Sequence, residues 1–197
     1  MHVGLTGGIG SGKSTVASLL VECGAVLVDT DAISRSLTAR GGAALPALAT
    51  AFGPQIMGAD GALDRERMRA LVFSDPAAKA RLEALLHPMI GETALAQAIA
   101  VGERPVVFDV PLLAESAHWR ARVDRVIVVD CSEGTQVRRV MQRNGWAEDA
   151  VRRVIAQQAS RARRRAIADA VIFNDGLSLD ELGTAVRTLW SRWRPIT

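Results

Sequence analysis

A glycine-rich stretch near the start of the sequence, residues 7–15, has the residue types and the spacing that bind a polyphosphate. Gly7, Gly12, Lys13 and Ser14 match the pattern G-x-x-x-x-G-K-[ST]. Glycines let the backbone curl so that successive N–H groups point at one anion, and the positive end of the following helix adds to this attraction. The stretch therefore predicts a nucleoside triphosphate site. The residues expected to line it are Gly8, Gly10, Ser11, Gly12, Lys13, Ser14 and Thr15.

Two other nucleotide-binding patterns fit the sequence poorly. A dinucleotide fingerprint that starts at Gly8 would need glycine at position 13, which is occupied by Lys13. A GTPase should carry Asn-Lys-x-Asp after a late strand, and the corresponding place reads Asn174-Asp175-Gly176. Asn174 follows the last predicted strand, where it could read the edge of an adenine base. A phosphate loop alone does not define the reaction, so other residues must decide it.

Two carboxylates follow predicted strands, at the sheet edge where such folds bind their ligands. Asp31 at that edge can accept the proton of an attacking hydroxyl and orient its oxygen. Alternatively, Asp31 caps a helix that begins at Ala32. Asp109 directly follows residues 106–108, a position from which a carboxylate supports Mg²⁺ together with Ser14. Alternatively, Asp109 only starts the turn before Pro111.

Arginines are frequent between residues 138 and 165. Arg139 and Arg143 lie on a predicted helix, residues 133–143, and Asn144-Gly145 separates it from a second, residues 147–164. Two helices joined by such a break predict a hinged lid. Arginines on a lid neutralise phosphate charge and help to exclude water from the reaction. We expect one or two of them to contact ligand and the others to form a solvated face.

Short apolar runs alternate with helical stretches over most of the chain. The expected strands are residues 2–6, 25–28, 106–108, 125–129 and 170–173. Further helices are expected at residues 13–23 and 179–193. Apolar strands without polar alternation are typical of a parallel sheet covered on both faces. The pattern predicts an α/β fold with a doubly wound, mainly parallel sheet of the P-loop NTPase type.

Residues 37–104 break this alternation because they show only helical periodicity. The clearest helical pieces are residues 65–73, 77–86 and 89–100, with breaks at Asp75-Pro76 and His87-Pro88. We expect an inserted helical lobe that holds the second substrate, within a single domain spanning residues 1–197. Residues 1–36 and 105–197 would form the nucleotide-binding core, with the lid at about 139–165. His87 is either a packed or capping side chain or a ligand of the substrate.

Composition narrows the class of protein. Hydrophobic residues make up 49% and charged residues 23%, values that argue against disorder. The sequence has no apolar stretch of the length that spans a membrane and no secretory leader pattern. Two cysteines without metal-binding spacing indicate a reducing compartment. We therefore expect a cytoplasmic protein without membrane or nucleic-acid partners.

Together these residues resemble the dephospho-CoA kinase family, nearly from end to end. The most specific parts are residues 5–15 and Asp109-Val110-Pro111-Leu112-Leu113. The others are Asp29-Thr30-Asp31 with Arg35, Leu86-His87-Pro88, the Gln136, Arg139 and Arg143 spacing, Gln157 or Gln158, and residues 168–174.

The resemblance implies transfer of the ATP γ-phosphate to the 3′-hydroxyl of dephospho-coenzyme A, with Mg²⁺. By analogy Asp31 is the base or orienting group, Lys13 contacts the phosphates, and Arg139 is the lid arginine with Arg143 as second choice. The implied substrate-binding residues are Asp31, Arg35, His87, Asp109 and Leu112, and the metal ligands Ser14 and Asp109. A monomer or weak oligomer is expected. Two alternatives are a nucleoside or nucleotide monophosphate kinase and a non-catalytic P-loop switch.

Overall fold

The computed structural model describes residues 1–193. Its five strands form one sheet in the order β2-β3-β1-β4-β5. The strands are β1 His2–Gly7, β2 Val26–Asp29, β3 Val106–Asp109, β4 Arg125–Asp130 and β5 Ala170–Phe173. Strand β1 pairs in parallel with β3 and β4, and β4 pairs in parallel with β5. The structure confirms the predicted α/β fold, and each strand lies within one residue of its predicted ends.

The helices are α1 Lys13–Glu22, α2 Thr30–Leu37, α3 Leu45–Phe52, α4 Arg65–Ser74, α5 Pro76–Ala100, α6 Ala117–Arg120, α7 Glu133–Asn144, α8 Glu148–Gln157, α9 Arg161–Ala166 and α10 Leu179–Trp193. The chain divides into two compact units. The first comprises Met1–Val28 and the chain from Val101 onward, and the second is Asp29–Ala100. No helix within residues 1–193 has the length and apolarity that crossing a bilayer requires.

The first unit has its core on the strands that carry the phosphate loop. Leu5 of β1 and Ile127 of β4 are fully buried and pack in one cluster with Leu20 of α1 and Trp190 of α10. Five of the six residues of β4 are buried, as expected for a strand covered on both faces. The phosphate loop therefore begins at the end of a rigid central strand.

The second unit is helical, and the predicted insertion, residues 37–104, overlaps most of it. It contains α2 to α5, a short 3₁₀ helix at Pro54–Ile56 and an isolated antiparallel bridge between Met57 and Leu63. Helix α5 packs against α2, α3 and α4. The buried side chains of this unit include Leu48 and Met68.

The predicted helix break at His87-Pro88 is wrong, because α5 continues through Pro88. Proline lacks the N–H that would bind the Ala84 carbonyl, which costs about 3 kcal/mol inside a helix. Packing offsets this local cost. The small residues Ala94 and Ala98 are buried, and α2, α3 and α4 pack against α5.

The single helix predicted for residues 147–164 is also wrong, because the structure divides it into α8 and α9. Ser160 supplies the new start, since its hydroxyl accepts a hydrogen bond from the Arg163 N–H at 3.2 Å. The division has a consequence for the arginines of this segment. Those of α8 and those of α9 belong to different elements and have different partners.

Candidate active site

The phosphate loop, residues 7–15, joins the last residue of β1 to the first turn of α1. Gly10 has φ of 72° and Gly12 has φ of 95°, in the left-handed region that favours glycine. Gly12 is the N-cap of α1, and within the described chain no side chain caps this helix. The first N–H groups of α1 are therefore available to an anion.

The loop also needs glycine because neighbouring groups approach its backbone closely. A Cβ atom on Gly10 would lie 2.8 Å from the carbonyl oxygen of Gln136, and one on Gly8 would lie 2.7 Å from Nη2 of Arg164. Both distances are shorter than real Cβ contacts. The loop is thus packed against α7 and α9, which the sequence pattern alone does not reveal.

Lys13 and Asp109 form an ion pair beside the loop. Asp109 is the last residue of β3, which lies next to β1 in the sheet. The two side chains are 18% and 13% exposed, so the pair is largely shielded from water. Asp109 therefore does more than start the turn before Pro111. It holds the ammonium of Lys13 at the loop.

The residues predicted to hold Mg²⁺ have suitable chemistry for that ion. Ser14, in the first turn of α1, is exposed and offers a hydroxyl oxygen, and Asp109 offers a carboxylate. Mg²⁺ prefers oxygen ligands and usually takes only one or two from the protein, with phosphates and water completing its shell. In the described part of the chain no group of three or more His, Cys, Asp or Glu side chains converges to form a metal cage.

Arg139 and Asn174 donate hydrogen bonds to carbonyl oxygens of the loop. Arg139 of α7 donates to the carbonyl oxygens of Gly10 at 3.4 Å and Ser11 at 3.3 Å. Asn174, which directly follows β5, is 4% exposed, and its amide nitrogen donates to Ser11 O at 2.8 Å. The side-chain amide of Asn174 thus stabilises the loop itself, a contact that the sequence analysis did not foresee. Reading an adenine edge stays a prediction for this residue.

Two glutamines hold the peptide groups of Ile9. The Ile9 N–H donates to Oε1 of Gln158 at 3.0 Å, and the Ile9 carbonyl accepts from Nε2 of Gln136 at 2.6 Å. The Ile9 side chain also packs against Val137, Val140 and Val151 of α7 and α8. The structure therefore distinguishes Gln158 from the exposed Gln157, a choice that the sequence left open.

The arginines from Arg143 to Arg164 have three kinds of environment. Arg143 is exposed, and its Nε donates to Oδ1 of Asn144 at 2.8 Å; within the described residues it makes no hydrogen bond to the loop. Arg161 binds the buried carboxylate of Asp130 through two 2.8 Å hydrogen bonds, and these raise the pKa of Arg161. Arg164 is buried beside Gly8, and burial lowers its pKa.

Helix α7, which carries Gln136 and Arg139, is anchored at its first turn by Asp175. The carboxylate accepts from the Thr135 hydroxyl at 2.6 Å and from the Ser132 N–H at 2.9 Å. These hydrogen bonds lower the pKa of Asp175 to about 2. The residue after Asn174 therefore fixes the helix that packs on the loop.

In the second unit, Asp29 rather than Asp31 caps α2. The Asp29 carboxylate accepts from the Ala32 N–H at 2.8 Å and pairs with Arg35 at 3.5 Å. The alternative that Asp31 caps a helix starting at Ala32 is therefore wrong, because the helix starts at Thr30. The Asp31 side chain is exposed and makes no hydrogen bond or ion pair within residues 1–193.

The remaining predicted substrate residues are also exposed. His87 is exposed on α5, so it is neither packed nor capping, and Leu112 of the first unit is 52% exposed. The structure brings Lys13, Asp109, Arg139 and Asn174 to the phosphate loop. It leaves Arg143 away from that loop.

Sequence analysis missed two side chains that contact the loop or pack on it. Gln136 was noted only as part of a spacing, and Arg164 only as one of several arginines. Gln136 lies seven residues before Arg143 on the predicted helix, which puts both on a similar face. That spacing does not indicate a contact with the loop until the position of the helix is known. Arg164 gave no signal, because it differs from its neighbours only in burial.

Comparison with known proteins agrees with this geometry. A family model described as dephospho-CoA kinase matches residues 1–180. The dephospho-CoA kinase of Bordetella parapertussis is 58% identical over 195 residues, covering 97% of this chain and 90% of the relative. That of Burkholderia thailandensis is 54% identical over 191 residues, covering 97% and 94%. A crystal structure of a Thermus thermophilus protein matches with a TM-score of 0.84 and 33% identity, covering 99% of this chain and 98% of that one. The chain belongs to the dephospho-CoA kinase family.

Proposed function

We propose that this chain transfers the γ-phosphate of ATP to the 3′-hydroxyl of dephospho-coenzyme A, the last step of coenzyme A biosynthesis. The observation that carries the proposal is the phosphate loop with its Lys13–Asp109 pair, in a chain whose match to the family model spans residues 1–180. Family membership supports dephospho-coenzyme A as the acceptor, and the geometry of the loop supports ATP as the phosphate donor.

The first unit binds and orients the polyphosphate. The free N–H groups at the start of α1 and the Lys13 ammonium attract its oxygens. Arg139 contributes a second positive charge at the loop, where its bonds of 3.3 to 3.4 Å to carbonyls are weak enough to exchange for a phosphate oxygen. Phosphoryl transfer depends mainly on such positioning and neutralisation of charge.

Asp31 acts as the base that orients the acceptor hydroxyl and takes up its proton. Its carboxylate is exposed and has no partner among the described residues, so no internal contact must break before it accepts a proton. Arg35, His87 and Leu112 bind the acceptor, and each is exposed enough to meet a ligand. Arg139 is the lid arginine of this proposal, and Arg143 is the alternative to it.

Ser14 and Asp109 would hold Mg²⁺ when the nucleotide is bound. When bound, the ion would supply positive charge that offsets the negative charge developing during transfer. Asp109 then serves two cations, since it also pairs with Lys13.

We also propose that the protein acts in the cytoplasm as a monomer or weak oligomer, without nucleic-acid or membrane partners. Its two cysteines are free thiols, which suits a reducing compartment. Size-exclusion chromatography with light scattering at micromolar concentration tests the oligomeric state.

A coupled assay of ADP release tests the reaction. Dephospho-coenzyme A should stimulate ATP consumption strongly, whereas AMP, uridine and shikimate should not. Product analysis by ³¹P NMR should place the new phosphate on the ribose 3′ oxygen. Stimulation by AMP or uridine instead would favour a nucleoside or nucleotide monophosphate kinase, and ATP consumption unaffected by dephospho-coenzyme A would favour a switch protein.

A further inference from the structure

Arg164 of α9 is a buried arginine whose charge is not neutralised by an ion pair. It is 5% exposed. Its Nη1 donates to the Ala159 carbonyl at 2.5 Å, but its Nε–H is buried and has no hydrogen-bond acceptor within residues 1–193. No carboxylate of the described chain lies within the 4.0 Å that defines an ion pair with it. Asp130 and Glu115 are close enough only to favour its charged form from a distance.

The other three arginines of α9 either pair with a carboxylate or are exposed to solvent. Arg161 and Arg165 lie on the same short helix, and both pair with Asp130. Arg163 is exposed to solvent. Of the four arginines of α9, Arg164 alone is therefore both withdrawn from water and without a carboxylate at ion-pair distance. Burying an uncompensated charge is unfavourable, and burial does lower the pKa of Arg164.

The position of Arg164 indicates what compensates its charge. Its guanidinium lies against Gly8 of the phosphate loop, where an added Cβ atom would be 2.7 Å from Nη2 and 3.2 Å from Cζ. Glycine at this position allows the guanidinium to approach the loop backbone. A polyphosphate held by the same loop would bring negative charge next to Arg164.

We propose that Arg164 is a phosphate-contacting residue, whose guanidinium donates hydrogen bonds to the polyphosphate of the nucleotide bound in the loop. This rests on the nucleotide donor of the proposed function but not on its acceptor. Arg164 would thereby be a second arginine of the site, beside Arg139. The competing role is purely structural, in which Arg164 only braces Gly8 and Ala159.

Replacement by methionine separates the two roles. Arg164→Met keeps an unbranched side chain of comparable length and removes the charge. Arg163→Met is the matched control, because Arg163 is the adjacent, exposed arginine of the same helix. Dissociation constants for ATP and for inorganic tripolyphosphate should be measured by calorimetry without any acceptor. Tripolyphosphate lacks the base and ribose, so it reports on phosphate contacts alone.

We expect Arg164→Met to weaken binding of both ligands about tenfold to a hundredfold, the range of a lost charge-assisted hydrogen bond. Its melting temperature without ligand should equal or exceed that of the wild type, because a buried uncompensated charge has been removed. Arg163→Met should change the binding of either ligand less than twofold.

The proposal is overturned if Arg164→Met binds tripolyphosphate within twofold of Arg163→Met, whatever happens to the melting temperature. Arg164→Lys provides a second variant should methionine prevent folding. Lysine keeps the charge but loses the guanidinium, so we expect an intermediate loss of affinity, and unchanged affinity would contradict the proposal. Because no acceptor is present, these outcomes are independent of whether dephospho-coenzyme A is the substrate.

Discussion

The phosphate loop of the first unit and the predicted acceptor residues of the second differ in how many protein contacts hold them. The loop is bound through Gln136, Gln158, Arg139 and Asn174, and Lys13 has its own carboxylate. The side chains of Asp31 and His87 are exposed and make no hydrogen bond or ion pair with other described residues. One region is built before the ligand arrives, and the other presents free side chains.

This difference separates two kinds of functional residue. Preorganised groups lower the cost of binding a charged ligand, because the protein has already fixed the N–H groups and the ammonium. Their replacement should disturb folding and activity together. Free side chains make no contacts that stabilise the fold, so their replacement should affect catalysis far more than stability.

Asp31→Asn should have the largest effect on catalysis and almost none on stability. We expect kcat to fall by about two to four orders of magnitude, the range for a positioned acid–base group, with ATP affinity nearly unchanged. Steady-state kinetics with dephospho-coenzyme A, calorimetry with ATP and thermal denaturation measure the three quantities.

The matched control is Asp180→Asn. Asp180 is the second residue of α10, as Asp31 is the second residue of α2, and both are exposed. Each change removes the same favourable helix-dipole interaction, worth about 0.3–1 kcal/mol. A loss of kcat below about threefold in Asp31→Asn would remove the residue from the reaction.

Lys13→Ala should lower activity and stability together. Removal of the ammonium should reduce kcat/KM by about two to three orders of magnitude and weaken ATP binding. It also leaves the shielded carboxylate of Asp109 without Lys13, so the free energy of unfolding should fall. Kinetics and chemical denaturation test both effects.

Lys79→Ala serves as the control, because Lys79 forms only an exposed helical pair with Glu83 at 3.9 Å. It should change stability by no more than about 0.5 kcal/mol and leave activity intact. Unchanged ATP affinity in Lys13→Ala would be incompatible with a phosphate-binding loop.

The sequence predicted the loop and the strands well because both depend on local signals. Gly10 and Gly12 need a positive φ wherever they occur in such a turn, and the buried strands show unbroken apolar runs. The start of α2 was less predictable, since Asp29 and Asp31 are both good capping residues. Only the backbone geometry identifies Asp29 as the cap.

Contacts between distant parts of the chain were beyond local patterns. Pro88 predicts a helix break, and only the packing of α5 against three other helices overrides it. Asn174 and Gln136 are separated from their loop partners by 163 and 127 residues. No periodicity or spacing relates such positions. The hydrogen bonds around the loop could therefore not be predicted without the fold.

Asn174→Ala should have a smaller effect than Lys13→Ala. It removes the 2.8 Å hydrogen bond to Ser11 O in a buried place, so we expect the free energy of unfolding to fall by about 1–2 kcal/mol. A less ordered loop should raise KM for ATP severalfold, while KM for dephospho-coenzyme A changes little. Asn144→Ala, at an exposed asparagine, is the control, and equal effects of the two variants on KM for ATP would refute the bracing role.

Asp175→Asn should have the smallest effect, and its pH dependence identifies the cause. Hydrogen bonds from Thr135 and Ser132 lower the pKa of Asp175 from 3.8 to about 2. A lowered pKa means that the charged carboxylate stabilises the folded state above the unfolded value, and that this stabilisation is lost as the pH falls from about 3.8 towards 2. Denaturation from pH 7 to pH 2 should therefore show the wild type more stable than Asp175→Asn at neutral pH, and this difference in stability should shrink below pH 4.

Thr135→Val removes the largest cause of the lowered pKa of Asp175. In that background the stability contributed by Asp175 should be lost at a higher pH. A gap that stays constant down to pH 2 would mean that the carboxylate anchors α7 by shape and not by its charge.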